Sequence, residues 1–143
     1  MARTYHHLSC AAVASTRRSP DDLRMKRRPR ERLVRDYYAA VDAGDLERAL
    51  APFSDDCLYE RQGHGSIAGL DAIKAFYRHE RIIKEGRHCF DQILCRDDWV
   101  AVRGEFVGSL RTGEAVELAF TDWFCIREYR IVYRQSLFPG RAV

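Results

Sequence analysis

The stretch Ala115–Ile126, AVELAFTDWFCI, constrains this chain more than any other. At the two-residue repeat of a strand, its even positions are Val116, Leu118, Phe120, Asp122, Phe124 and Ile126. One face is therefore apolar apart from a single carboxylate. An ionised Asp on a buried strand face is costly unless it is paired, hydrogen-bonded or protonated. The next strand-like stretch, Ile131–Phe138, sets Arg134 and Ser136 among apolar neighbours. The two stretches together predict a pocket wall with polar groups set into it.

Around them the chain divides in two. Residues 1–29 carry Pro20, Pro29 and no sustained periodicity. They are expected to be a disordered tail, or one added by an early start, since Met25 offers another. From Arg30 a helix is readable, with Leu33, Tyr37 and Val41 on one stripe and Val34, Tyr38 and Ala40 beside it. Gly44 ends it, and Asp45 can cap a short second helix, LERALAPF. Cys57–Arg61 is a short strand, followed by the loop QGHGSIAG, which lacks the lysine of a phosphate-binding loop. Leu70–Glu85 is predicted as a third helix stopped by Gly86. Four long antiparallel strands follow, near His88–Cys95, Trp99–Leu110, Val116–Ile126 and Ile131–Phe138. The pattern is α+β, a curved sheet over a small helical layer, in a single domain spanning residues 30–143.

Charge and composition exclude several classes. Nine Arg or Lys fall between Arg17 and Arg35, so the basic excess sits ahead of the strands, which argues against a nucleic-acid surface on the folded part. No segment approaches the ~20 apolar residues of a membrane span, and the N-terminus lacks the apolar region of a signal peptide. Five scattered cysteines form no CxxC pair, which suggests reduced, buried thiols and a cytoplasmic setting. His64, His79 and His88 do not make a metal motif, because HERIIKEGRH is not HExxH; no metal is expected.

The runs RDYYAAVDAGDLERALAPFSDDCLYE and IAGLDAIKAFYR, with strands ending in FTDWF and YRQSLF, resemble the nuclear-transport-factor-two-like superfamily. Within it the chain is most similar to the SnoaL-like polyketide cyclases and the ketosteroid isomerases. The resemblance covers Arg30 to Phe138. It implies a cone-shaped α+β barrel, a strongly curved antiparallel sheet wrapped around three N-terminal helices, with a deep pocket inside. It also implies a homodimer and no cofactor, and it is poor at naming a reaction, because the fold hosts many functions.

Residue by residue, the resemblance puts Asp122 at the pocket acid of both groups and Tyr37 at the isomerase tyrosine that stabilises an oxyanion. The isomerase general base should follow Glu60, where this chain has Arg61, so steroid-type proton shuttling is not expected. In physical terms, a carboxyl in an apolar surround has its pKa raised, which would let Asp122 exchange protons near neutral pH. The alternative is a buried ion pair with Arg134 or Arg61. Strand alternation in the resembling folds points Arg103 and Glu105 into the pocket, with Arg134 and Ser136 on the last strand; the alternative is salt bridges on the outer sheet face. Tyr59, Phe120 and Phe124 are expected to shape the cavity, and His64 to reach over its entrance as an auxiliary acid or base.

Three functions follow as expectations. The first is a cofactor-free cyclase or isomerase of secondary metabolism acting on a polyketide-like or other hydrophobic carbonyl compound. There Asp122 is the general acid/base, and Tyr37 and Arg61 stabilise an enolate or alkoxide. The second is epoxide opening of the limonene-epoxide-hydrolase type, with Asp122, Arg103 or Arg134, and Glu105. The third is a non-catalytic binding or dimerisation module, favoured if side chains fill the pocket and Arg134 ties up Asp122.

Overall fold

Alternation decides the sheet. In the computed structural model, which describes residues 20–141 and 143 with side chains from Pro29 on, six strands form one curved sheet. They are β1 (Phe53–Arg61), β2 (Gly65–Ala68), β3 (Ile83–Arg96), β4 (Trp99–Leu110), β5 (Ala115–Arg127) and β6 (Arg130–Leu137), in the order β2-β1-β6-β5-β4-β3. On β5, Val116, Leu118, Phe120, Asp122, Phe124 and Ile126 are all buried, as the two-residue period requires. The expectation of a wholly antiparallel sheet needs one correction. β1 and β6 pair in parallel, the other pairs being antiparallel. These two strands are joined through all the intervening elements, which gives the chain room for the crossover a parallel pair needs.

The helices are α1 (Pro20–Asp42), α2 (Leu46–Leu50) and α3 (Leu70–Ala75), the last continued by a single π-helical turn over Phe76–Glu80. β1 and β2 lie between α2 and α3, so the helices do not all precede the sheet. α1 begins at Pro20, so residues 20–29, expected as tail, are helical; residues 1–19 lie outside the described residues. Pro20 at the first helical position and Asp21 and Asp22 after it suit a helix start. The other end follows the sequence closely. Gly44 takes a left-handed φ of 72°, the Gly44 N–H reaches Val41 O and the Asp45 N–H reaches Ala40 O, the paired closure of a Schellman motif. Asp45 then accepts from the Arg48 N–H at 3.1 Å and caps α2.

Two elements differ from the sequence reading. The loop QGHGSIAG contains β2, which pairs with the end of β1. The third helix stops at Glu80 rather than Glu85, because Ile83 already pairs with Leu110 in the sheet. Gly86 is therefore not a helix stop. It lies inside β3, where a Cβ would fall 2.3 Å from the Phe106 ring.

Curvature has a local cause. β3 carries irregularities between Ile83 and Glu85 and between Phe90 and Gln92, and such bulges bend a strand and increase its twist. β4 meets each with a glycine. A Cβ on Gly108 would lie 2.2 Å from Glu85 O, and one on Gly104 2.1 Å from Cys89 O. Both obstacles are main chain, which cannot move aside. Gly104→Ala should therefore destabilise the fold by roughly 2–3 kcal/mol, the cost of overpacking a dry contact, read as a lower urea midpoint. An unchanged midpoint would mean that the bend does not depend on this close approach.

Candidate functional site

Asp122 is fixed from three elements. It stands on β5 opposite Ser136 of β6, with Arg134 two residues before Ser136 on the same face. Arg134 Nη2 donates to Asp122 Oδ2 at 2.7 Å, and the Tyr38 hydroxyl of α1 donates to the same oxygen. Arg134 Nη1 donates to the hydroxyls of Tyr37 and Tyr77, the latter at 2.7 Å, and those two hydroxyls lie 2.6 Å apart. The guanidinium is stacked among the rings of Tyr37, Tyr59 and Phe124, at 4.6–5.4 Å from their centroids. Asp122 and Arg134 are only 2 % and 4 % exposed, so this is a buried ion pair inside a cage of phenols.

The electrostatics reverse one expectation. Burial alone raises the carboxyl pKa of Asp122. The Arg134 charge, the nearby hydroxyls of Ser136 and Tyr38 and the Arg134 hydrogen bond together lower it further, and its net pKa lies below the ordinary value. Asp122 is thus a carboxylate at neutral pH and not the raised-pKa acid expected from its apolar neighbours. Burial pushes the Tyr37 and Tyr38 phenols well up, so both keep their protons. Tyr77 goes the other way. Burial raises it, but Arg134, Arg81, the Tyr37 hydrogen bond and Arg61 outweigh that and make it more acidic than an ordinary phenol.

Arg61, at the end of β1, completes the cluster. Its Nη1 donates to the Tyr59 hydroxyl at 2.8 Å, its Nε donates to Val143 O at 2.8 Å, and it lies over the Phe138 ring. Tyr59 and Ser136 share a hydrogen bond of 3.1 Å, so the phenol–guanidinium network runs from β1 across β6 to β5. Three buried atoms have no hydrogen-bond partner among the described residues: Arg61 Nη2, Asp122 Oδ1 and Arg134 Nε.

These three residues line one internal cavity with Tyr37, Tyr77, Arg81, His88, Phe106, Phe120 and Phe138. Its volume is ≈ 20 Å³, room for about one water. The deep hollow expected in front of Asp122 is therefore nearly filled by the protein's own side chains.

The remaining residues singled out from the sequence separate cleanly. Tyr37, Arg61, Phe120, Asp122 and Arg134 meet at the cavity. Tyr59 and Phe124 support it from behind as partners of Arg61 and Arg134. His64 does not reach it: the ring packs on Phe76 and pairs with Glu80 at 3.3 Å on the exposed side. Arg103 and Glu105 are on the outer face of β4, exposed, because Val102, Gly104 and Phe106 take the buried phase; Arg103 lies 3.5 Å from Asp91. Three contributors were missed. Tyr38 follows Tyr37 on a helix whose buried stripe admits both, and Tyr77 falls among the apolar positions of the third helix, where nothing in the sequence marks its hydroxyl. The π-helical turn that carries Tyr77 leaves no plain sequence signal, although such turns often mark functional sites. Asp42 and His88 form the third, a hydrogen-bonded pair with Nδ1 and Oδ1 2.5 Å apart. Among the described residues no group of three or more His, Cys, Asp or Glu is arranged to hold a metal, and no helix is long and apolar enough to cross a membrane.

Comparison with known proteins matches this architecture to a family. The chain belongs to the SnoaL-like family, whose domain model matches residues 34–134. Solved structures share the fold at low identity. An NTF2-like protein of unknown function from Burkholderia pseudomallei is 24 % identical with a TM-score of 0.71, over 77 % of this chain and 90 % of that one. A limonene-epoxide-hydrolase-like epoxide hydrolase from Mycobacterium tuberculosis is 18 % identical with a TM-score of 0.68, over 79 % and 84 %. A proposed polyketide cyclase from Pseudomonas putida is 21 % identical with a TM-score of 0.64, over 76 % and 90 %. No match to a curated protein was found.

Removing one member of the buried pair leaves the other charge uncompensated. Arg134→Met should cost about 3–5 kcal/mol, and Asp122→Asn combined with it clearly less than the sum of the two single changes. Additive costs in a denaturant series would mean the pair is not coupled. Because the Asp122 carboxyl is held below its ordinary 3.8 in the fold, the stability it contributes is complete above that pH. It is lost as the pH falls through the folded value. Asp122→Asn should flatten the decline of Tm below about pH 4, and an unaltered decline would assign acid unfolding to other groups.

Proposed function

We propose that this protein is an enzyme acting by general acid/base catalysis on a carbonyl compound, as a cyclase or isomerase. Asp122 Oδ1 takes a proton from the carbon next to the carbonyl. Tyr37, Tyr77 and Arg134, with Arg61, hold the enolate or alkoxide oxygen that forms. The reading is carried by one observation: three buried polar atoms without partners among the described residues, on Asp122, Arg134 and Arg61, belong to residues lining the same cavity. Unpaired buried polar atoms lower stability, and a core that served packing alone would satisfy or replace them. The cavity lining has three guanidinium groups and an acidified phenol against one carboxylate, a balance that favours an oxyanion. Ionised Asp122 enters as a base rather than as a donor.

The curved sheet acts here as the wall of a cone, and a substrate of ordinary size, for which pockets run to ~300–1,000 Å³, enters only if side chains such as Arg81 and Phe138 swing away. Epoxide opening is less well supported, because Glu105 and Arg103 are on the far face and leave Asp122 without a second carboxylate. A second reading, a non-catalytic binding or dimerisation module, draws support from the ≈ 20 Å³ cavity and the hold of Arg134 on Asp122. Self-association across the outer sheet face is supported in either case by Leu94, Trp99 and Trp123, all exposed there on neighbouring strands.

A thermal-shift series with cyclic ketones and with phenols, which imitate an enolate, separates the readings. The enzyme reading expects phenols to raise Tm by several degrees, more than ketones, since a ligand of the folded state adds RT ln(1 + [L]/Kd). Arg134→Met should abolish the difference. No shift with any member of the series would favour the non-catalytic module. In sedimentation the protein should run as a dimer, and Trp123→Arg as a monomer; a monomeric parent protein would remove the self-association.

A further inference from the structure

His88 has a different environment from the other histidines in the described part of the chain. It stands on β3 opposite Phe106, and its ring packs among Tyr38, Phe106 and Phe120 at centroid distances of 4.8–5.3 Å. Asp42, the last residue of α1, grips it twice. Asp42 Oδ2 accepts the His88 main-chain N–H at 2.9 Å, and Oδ1 lies 2.5 Å from Nδ1. A carboxylate can only accept, so Nδ1 carries a proton on the Asp42 side and Nε2 is the nitrogen left to exchange one. Nε2 makes no hydrogen bond to the described residues, and the ring lines the same cavity as Asp122. A histidine needed only for packing would require neither a dedicated carboxylate nor a place on a polar cavity.

We propose that His88 is a second catalytic proton-transfer group of this cavity and that Asp42 is its positioning residue. The inference rests on the acid/base reading above and deepens it: the substrate has two reacting positions, one served by Asp122 and one by His88. Its class is then a dicarbonyl compound that closes on itself. Asp122 Oδ1 removes a proton from the carbon beside the first carbonyl, and the C–H pair passes through the enolate into a new carbon–carbon bond at the second carbonyl carbon. The π pair of that second carbonyl moves onto its oxygen, and the alkoxide takes the Nε2 proton of a His88 imidazolium. His88 is left neutral with Nδ1–H still on Asp42, Asp122 is left protonated, and solvent moves one proton between them to reset the site. Nothing is oxidised or reduced, and no group leaves.

Tyr38 ties the two stations together. Its ring packs on His88 while its hydroxyl donates to Asp122, so one α1 side chain separates and aligns both.

Heptane-2,6-dione, whose ends close to a six-membered hydroxyketone, is a probe for both steps on the full chain. In D₂O, proton NMR follows deuterium uptake beside the carbonyls, which needs only the first proton transfer, and ring closure, which needs both. His88→Gln and Asp42→Asn should each slow ring closure by roughly 10²-fold, the usual worth of a positioned acid, while deuterium uptake stays within about threefold of the parent protein. Asp122→Asn should slow both. Long-range proton–nitrogen spectra should show His88 protonated at Nδ1, and Asp42→Asn should lose that signature. Ring closure unimpaired in His88→Gln, with Asp122→Asn inactive, would overturn the role of His88 alone. So would a His88 protonated at Nε2 only. Deuterium uptake lost along with ring closure in both His88→Gln and His88→Asn would mean a structural residue and overturn the proposal as well. Neither step running above the buffer rate with the parent protein would bring down the acid/base reading itself.

Discussion

The buried pair of Asp122 and Arg134 is the interaction on which the interior of this protein depends. A carboxylate and a guanidinium removed from water carry a desolvation cost of several kcal/mol per ion, which their mutual attraction offsets only when hydrogen bonds occupy the remaining positions. Here Tyr38 donates to the acid, and Tyr37 and Tyr77 accept from the base. The compensation is incomplete, since Asp122 Oδ1 and Arg134 Nε keep no partner among the described residues. A pair of apolar residues would fill the same space with less risk to stability. The charges are thus not explained by packing alone, and both residues line one cavity.

Sheet and site were legible to different degrees for a physical reason. The two-residue period of β5 told which side chains would be buried, and all six of its even positions are. The same rule, applied to β4 directly, puts Val102, Gly104 and Phe106 inside and Arg103 and Glu105 outside. The family analogy pointed those two inward, and local alternation was the better guide. What the period cannot register is a bulge or a break. β2 lay hidden in a glycine-rich run, and the end of α3 was placed too late because Ile83 fits an apolar helix face and an apolar strand face equally. Partners across the fold were the least legible. Asp122 alone reads as an acid in an oily wall, with a raised pKa; only the approach of Arg134 and Tyr38 reverses the sign.

The resemblance to SnoaL-like proteins bore on the fold far more than on the chemistry. Family membership rests on residues 34–134, and structural neighbours below 25 % identity include proteins assigned to different reactions. Function must then be argued from this chain's own site. By the resemblance to ketosteroid isomerases a general base would be expected at the end of β1, and this chain lines that end of the cavity with the cation of Arg61 instead. Its guanidinium is also tied to Tyr59 and to the main chain of Val143, so the cation is built into the packing.

α1 links these parts. Within one and a half turns it supplies Tyr37 to Arg134, Tyr38 to Asp122 and Asp42 to His88, so a single helix reaches three of the polar groups on the cavity. That dependence explains why the helix is tied down at its end. The Gly44 closure fixes where the last turn stops, and the stop decides whether the Asp42 carboxylate meets the His88 main chain and ring together. A helix displaced along its axis by one residue, about 1.5 Å, would carry all three side chains out of register with the sheet at once. The glycines of β4 act on the other half of the same fit, because they let β3 bend close enough for His88 to reach the helix. The polar interior is thus specified twice, by a helix terminus and by the curve of a sheet, and neither alone would bring the groups together.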